Sequence, residues 1–209
     1  GPVADRERWR ARGCAVPSIG VKVSAIQLRQ KDFIEQITGA FVCPDRPEDA
    51  FEIELTESMI MSDVEGSAAK LREVRAAGIK IAIDDFGTGY SSLSYLVKLP
   101  IDTLKIDRSF VAEMASSAEH MAIVRTIISL RESLRLRIIA EGVETKEQAS
   151  MLRLLRCDEA QGYLYSPPVP PEAIEKILAR LACADEKDPS AGSGFQPGTR
   201  VASSHDQKV

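Results

Sequence analysis

Glu54, Asp84, Lys105, Glu141 and Gln161 each fall near the C-terminal end of a short β-rich run. In residues 51–55, Phe51, Ile53 and Leu55 take one face and Glu54 the other. Ile79, Ile81 and Ile83 oppose Lys80, Ala82 and Asp84 in the same way, and Leu104 and Ile106 oppose Thr103, Lys105 and Asp107. Side chains alternate across a strand, so the bulky apolar set faces a layer of helices and the polar set points into a shared interior. One strand-end carboxylate is ordinarily just solvated; five polar residues on one parity across five strands need a common cause. Clustered Asp and Glu oxygens, with no histidine or thiolate among them, suit hard cations such as Mg2+ or Mn2+, and those ions suit phosphoryl chemistry. A lysine among the acids can orient or deprotonate a water. The bare pattern therefore points to metal-assisted phosphoester hydrolysis. A competing enzymatic reading makes Lys105 a Schiff-base nucleophile, and the number of carboxylates around it weighs against that.

The elements that position these residues follow from periodicity. β-rich runs recur at 21–24, 51–55, 79–83, 103–106 and 137–140, with a weaker one at 159–161. Helical patterns lie between them: Val64, Leu71 and Val74 share a face, as do Val124, Ile127 and Ile128, and Ile174, Ile177, Leu178 and Leu181. Ser62 with Glu65 and Thr145 with Gln148 have capping-box spacing, and Gly78 stands where a helix would end. Strand alternating with helix predicts parallel pairing through right-handed crossovers, hence an α/β sheet or a (β/α) barrel. Six βα units are legible, whereas a closed eight-unit barrel takes about 250 residues. The expected fold is a TIM-like (β/α) barrel that is incomplete by two units. Residues 1–183 form the expected domain, with 1–16, including the charged stretch around Trp9, as the remnant of a helix before the first strand. Residues 184–209, rich in Ser, Gly, Pro and charge, are expected to be a disordered tail.

Composition narrows the partners. With 44% apolar residues among 209, the chain can bury one substantial core. A net charge of −4, from 27 basic and 31 acidic residues, offers no general attraction to a nucleic-acid polymer or an anionic membrane. Cys14, Cys43, Cys157 and Cys183 are too scattered for a zinc site and fit a reducing cytoplasm. His120 and His205 are isolated and read as surface residues. No run approaches the roughly 20 apolar residues of a membrane span, though a longer membrane-anchored or multidomain parent is compatible.

Several longer strings carry a resemblance. Glu54-Leu55-Thr56-Glu57-Ser58, the stretch from Asp84 through Leu93 (DDFGTGYSSL), Leu104-Lys105-Ile106-Asp107, Ala140-Glu141-Gly142-Val143-Glu144 and Gln161-Gly162-Tyr163 resemble, in order, the signatures of EAL domains, the cyclic di-GMP-specific phosphodiesterase family. The resemblance covers roughly residues 8 to 182. It implies a TIM-like barrel, here without the family's first two strands, that binds cyclic di-GMP and opens it to linear pGpG with two Mg2+ or Mn2+ ions. Carried over by motif, Glu54, Asp84 and Asp85 resemble metal ligands. Lys105 resembles the residue that helps activate water, and Glu141 and Gln161 the remaining polar groups around it. Glu57 resembles the glutamate that holds the following loop, and Glu144 a supporting carboxylate. The loop at 85–93 resembles the one that couples homodimer formation to metal binding.

Two departures accompany the matches. No part of the chain supplies the Glu-Ala-Leu motif of the family's first strand, which reads as an N-terminal truncation. In Val21-Lys22-Val23-Ser24, which resembles the family's Val-Asn-Leu-Ser signature, Lys22 stands at the position of an asparagine ligand. A protonated lysine has three donors and no acceptor, so it cannot coordinate a cation. Its ammonium either substitutes for the ion or snorkels to solvent beside a weakened metal site. Either way catalysis is expected to be impaired. An enzyme fragment, a non-catalytic cyclic di-GMP receptor and a protein-interaction module all stay open.

Overall fold

The computed structural model describes residues 1–14, 16, 18–41, 51–89, 93–185 and 196–197. In chain order the elements are α1 (Pro2–Ala11), β1 (Ile19–Lys22), α2 (Ala25–Arg29), α3 (Phe33–Phe41), β2 (Phe51–Thr56), α4 (Glu57–Met61) and α5 (Val64–Ala76). There follow β3 (Lys80–Phe86), α6 (Leu93–Leu96), β4 (Thr103–Ile106), α7 (Arg108–Glu113), α8 (Ala118–Leu134) and β5 (Arg137–Ala140). The described chain closes with α9 (Lys146–Leu154), β6 (Glu159–Ala160), α10 (Pro171–Asp185) and β7 (Gln196–Pro197).

Every neighbouring strand pair is parallel and the spatial order is the chain order, β1 through β7. This is an incomplete TIM-like (β/α) barrel, as the alternation of elements predicted. The strands over 103–106 and 137–140 fall where expected. The first strand begins two residues earlier than read and stops at Lys22, because the Ser24 hydroxyl accepts from the Gln27 amide and opens α2 as a capping box. The capping box at Thr145 and Gln148 is present. Ser62 does not cap α5: its hydroxyl donates to the Met59 carbonyl, and Asp63 caps α5 by accepting from the Gly66 amide. Of the stretch read as tail, Gln196 and Pro197 pair with β6, and the rest beyond Asp185 lies outside the described residues.

The core lies between strands and helices. Ile53, Leu55, Ile81, Ile83, Leu104, Ile106 and Ile138 are buried against Leu71, Val74, Val124, Ile127 and Leu152 of the helical layer. Each such side chain contributes roughly 1.5–3 kcal/mol by leaving water. A second cluster joins the two ends of the domain: Trp9 of α1 packs with Ile19, Phe51, Ile174 and Leu178. Arg8 of α1 and Arg12 just beyond it pair with Glu175 of α10 at its rim. Among the described residues no helix is long and apolar enough to cross a membrane.

Candidate functional site

The inward polar residues meet at the C-terminal ends of the strands. Lys105, on β4, places its Nζ 3.0 Å from Glu54 Oε2 on β2, 3.0 Å from Asp84 Oδ1 on β3 and 2.5 Å from a Glu141 oxygen just past β5. Gln161, just past β6, donates from Nε2 to the same Glu141 oxygen at 2.6 Å. Lys22, at the end of β1, brings a second ammonium to 2.9 Å from Asp84 Oδ2. Six residues from six strand ends thus meet in one pocket, the five that strand parity placed on a common face joined by Lys22.

Asp85 reaches the pocket by a different route. Alternation would send it to the opposite face from Asp84, but the β3–β4 register shifts between Ile83 and Phe86, and Asp85 takes a left-handed backbone with φ 52°. A bulge re-aims a side chain in this way. Asp84, Asp85 and Glu141 consequently present oxygens within 4.8 Å of one another.

The crowding of charge sets the proton affinities. Burial works against the Lys105 ammonium, yet Glu54, Glu141 and Asp84 together hold its pKa well above the usual lysine range. Burial likewise disfavours the Asp84 carboxylate, and Lys105 and Lys22 overcome it, leaving Asp84 below its ordinary value. Lys22 ends above its ordinary value, because Asp84 outweighs the cost of partial burial. Asp85 is raised by burial and then by the charge of Asp84. For Glu141, burial with the repulsion of Asp84 and Glu54 outweighs the pull of Lys105, and its pKa is pushed up to about 7.

Glu57, at the start of α4, accepts from the Tyr95 hydroxyl at 2.7 Å and from the Gly87 amide at 3.3 Å. It thereby ties the segment after β3 to α6. Glu144 differs: its side chain is exposed, its backbone N–H donates to Gln148, and among the described residues its carboxylate makes no ion pair or hydrogen bond to the pocket. Residues 90–92 of the 85–93 loop lie outside the described residues.

Two contributors escaped the sequence reading. A Cβ at Gly20 would come 2.0 Å from Glu54 Oε1, so a bare backbone at β1 is what lets the Glu54 carboxylate fit. A Cβ at Gly162 would come 2.3 Å from the Val143 backbone, so this glycine lets the segment after β6 press on the one after β5 and carries Gln161 to Glu141. The signal for Gly20 was present: it shares parity with Lys22 two residues on.

A family model described as EAL domain matches residues 3–168. The chain belongs to the EAL domain family. Among EAL relatives, it is 40% identical over 174 residues to the bifunctional diguanylate cyclase/cyclic di-GMP phosphodiesterase MucR of Pseudomonas aeruginosa, covering 83% of this chain and 25% of MucR. The EAL domain of Mycobacterium smegmatis DcpA superposes with a TM-score of 0.80 at 41% identity, over 85% of this chain and 80% of that one. Klebsiella pneumoniae BlrP1, solved as a manganese/cyclic di-GMP complex, gives 0.69 at 28% identity, over 79% and 42%. The chain spans about a quarter of the length of the curated relatives it matches first.

The EAL carboxylates suit a hard divalent ion in donor type, and both Asp84 oxygens are buried, one held by the Lys22 ammonium at 2.9 Å and the other by the Lys105 ammonium at 3.0 Å. Lys22 does not suit it. Its ammonium occupies one side of Asp84 and repels a second cation, so an ion fits only if this side chain, 63% exposed, swings outward.

Proposed function

We propose that this EAL domain binds cyclic di-GMP at the strand-end pocket and hydrolyses it to linear pGpG poorly or not at all, because Lys22 stands where a metal ligand is needed. The observation that carries this reading is the Lys22–Asp84 ion pair at 2.9 Å inside a pocket of family residues. An ammonium at that distance offsets part of the repulsion among Glu54, Asp84 and Glu141 without an ion, an attraction that solvent reduces because Lys22 is mostly exposed. Where bound to Glu54, Asp84 and Asp85, Mg2+ or Mn2+ would polarise a phosphoryl oxygen and supply a nucleophile at neutral pH. In this chain Glu54 and Asp84 are instead held by Lys105, with Lys22 on the other oxygen of Asp84. Lys105 and Gln161 orient Glu141 toward the pocket and Glu57 fixes the segment after β3, while the supporting role that the resemblance implies for Glu144 has no contact behind it among the described residues. Self-association through the 85–93 region belongs to the same reading, as the resemblance implies.

Calorimetry with cyclic di-GMP, with and without Mg2+, combined with a pGpG assay tests it. The expected outcome is binding indifferent to Mg2+ and no measurable turnover, while Lys22→Asn makes binding Mg2+-dependent. Turnover by the unaltered chain at rates typical of active relatives would overturn the impairment. Absence of cyclic di-GMP binding in every condition would overturn the ligand and leave an interaction module.

A further inference from the structure

One layer below the pocket lies a second polar contact across the barrel interior. The Thr103 hydroxyl donates to Glu52 Oε1 at 2.6 Å, and both residues are fully buried. The contact above it, Lys105 Nζ to Glu54 Oε2 at 3.0 Å, joins the same two strands with the same separation of 51 residues. Two rungs therefore connect β2 to β4, which are not neighbours in the sheet. They reach over β3 because the β3 residue in register with both Glu54 and Thr103 is Ala82, whose buried methyl leaves the interior open. A longer side chain there would fill the space both contacts use.

Packing alone does not explain the lower rung. Burying a carboxyl group and a hydroxyl costs free energy even when they bond to each other, and an apolar pair of similar shape is often as stable. What such a pair contributes is a defined distance between the strands that carry it. Glu52 lies two residues before Glu54 and Thr103 two before Lys105, so each lower residue sets the backbone from which an upper one projects. We infer that Glu52 and Thr103 are positioning residues that hold β2 and β4 at the separation required for Lys105 to meet Glu54, and so shape the nucleotide pocket. The pocket's ligand rests on the function proposed above; the placement of Lys105 does not.

The test uses the full chain in metal-free buffer with two readouts: the 1H–15N signal of the Lys105 ammonium, and the affinity for cyclic di-GMP. Thr103→Val keeps the shape and removes the hydroxyl; Thr103→Ser keeps the hydroxyl. Thr103→Val is expected to shift or broaden the Lys105 signal and to weaken nucleotide binding by about tenfold, the scale of losing one supporting contact, and Thr103→Ser to restore both. An unchanged Lys105 signal in Thr103→Val, or equal damage from Thr103→Ser, overturns the inference whatever the nucleotide does. Failure of the unaltered chain to bind cyclic di-GMP overturns the proposed ligand instead, and the Lys105 signal still decides the positioning role. Should Thr103→Val not fold, Thr103→Ala removes the same hydroxyl without added bulk. Unfolding of both variants overturns the inference, since the pair would then determine the fold and not the pocket.

Discussion

Glu141 holds the most informative proton in the pocket. Burial raises its pKa from 4.5 to about 7, so between those values the folded chain binds a proton that the unfolded chain has released. Stability linked to this group is therefore fully present below about pH 4.5 and declines as pH rises through 7, the reverse of an ordinary salt-bridged carboxylate. Denaturant melts in chelator at pH 5, 6, 7 and 8 should show this loss in the chain, and Glu141→Gln should flatten that dependence. A slope that survives Glu141→Gln would assign it to another group. Lys105 contributes nothing to the slope in this range, because its carboxylate neighbours hold it charged throughout. Cys157 is buried, its thiol pushed up to about 12 by burial, and His120, read as an isolated surface residue, is half-buried and faces Glu113 beside the Phe110 ring.

Strands deliver the side chains, and what sits at their two ends differs in kind. At the N-terminal ends a device recurs: Asp102 accepts from the Ile81 amide while pairing with Arg75, and Asp158 accepts from the Ile138 amide while pairing with Arg131. These contacts fasten one strand to the next and to a helix, a stabilising role typical of that face. At the C-terminal ends the bulge in β3 and the tether at Glu57 govern the pocket. Glu57→Ala removes the acceptor of both the Tyr95 hydroxyl and the Gly87 amide. The expected cost is about 1–3 kcal/mol, with faster hydrogen exchange at Gly87 than at β4 amides. Equal exchange at Gly87 before and after the change would show that Glu57 does not restrain this segment.

For the whole molecule, the open barrel is braced by its ends. The packing of Trp9 against Ile174 and Leu178 brings α1 to α10, covering apolar surface near β1 that an unpaired sheet edge would otherwise expose. The face near the 85–93 region is less covered: Val97, just beyond α6, is 68% exposed. Proposed self-association through that region predicts a concentration-dependent dimer in sedimentation, shifted toward monomer by Val97→Asp. A monomer at every concentration up to about 100 μM, with the affinity of a weak interface in mind, would remove this part of the proposal.

Alternation along strands was enough to place Glu54, Asp84 and Lys105 on one interior face, and the strings around them identified the family, because parity and motif are local properties of a chain. The same parity also carried Glu52 and Thr103, whose meaning stayed hidden until β2 and β4 were seen facing each other over Ala82. Lys22 could be recognised as out of place from its neighbours alone, but not whether its ammonium turned to solvent or to Asp84; the 2.9 Å ion pair decided that. Asp85 ran against alternation altogether and entered the pocket only through a register shift and a left-handed residue. Distances between side chains from different strands depend on register, bulges and the absence of a Cβ at positions such as Gly20, and those are set by pairing between segments far apart in sequence.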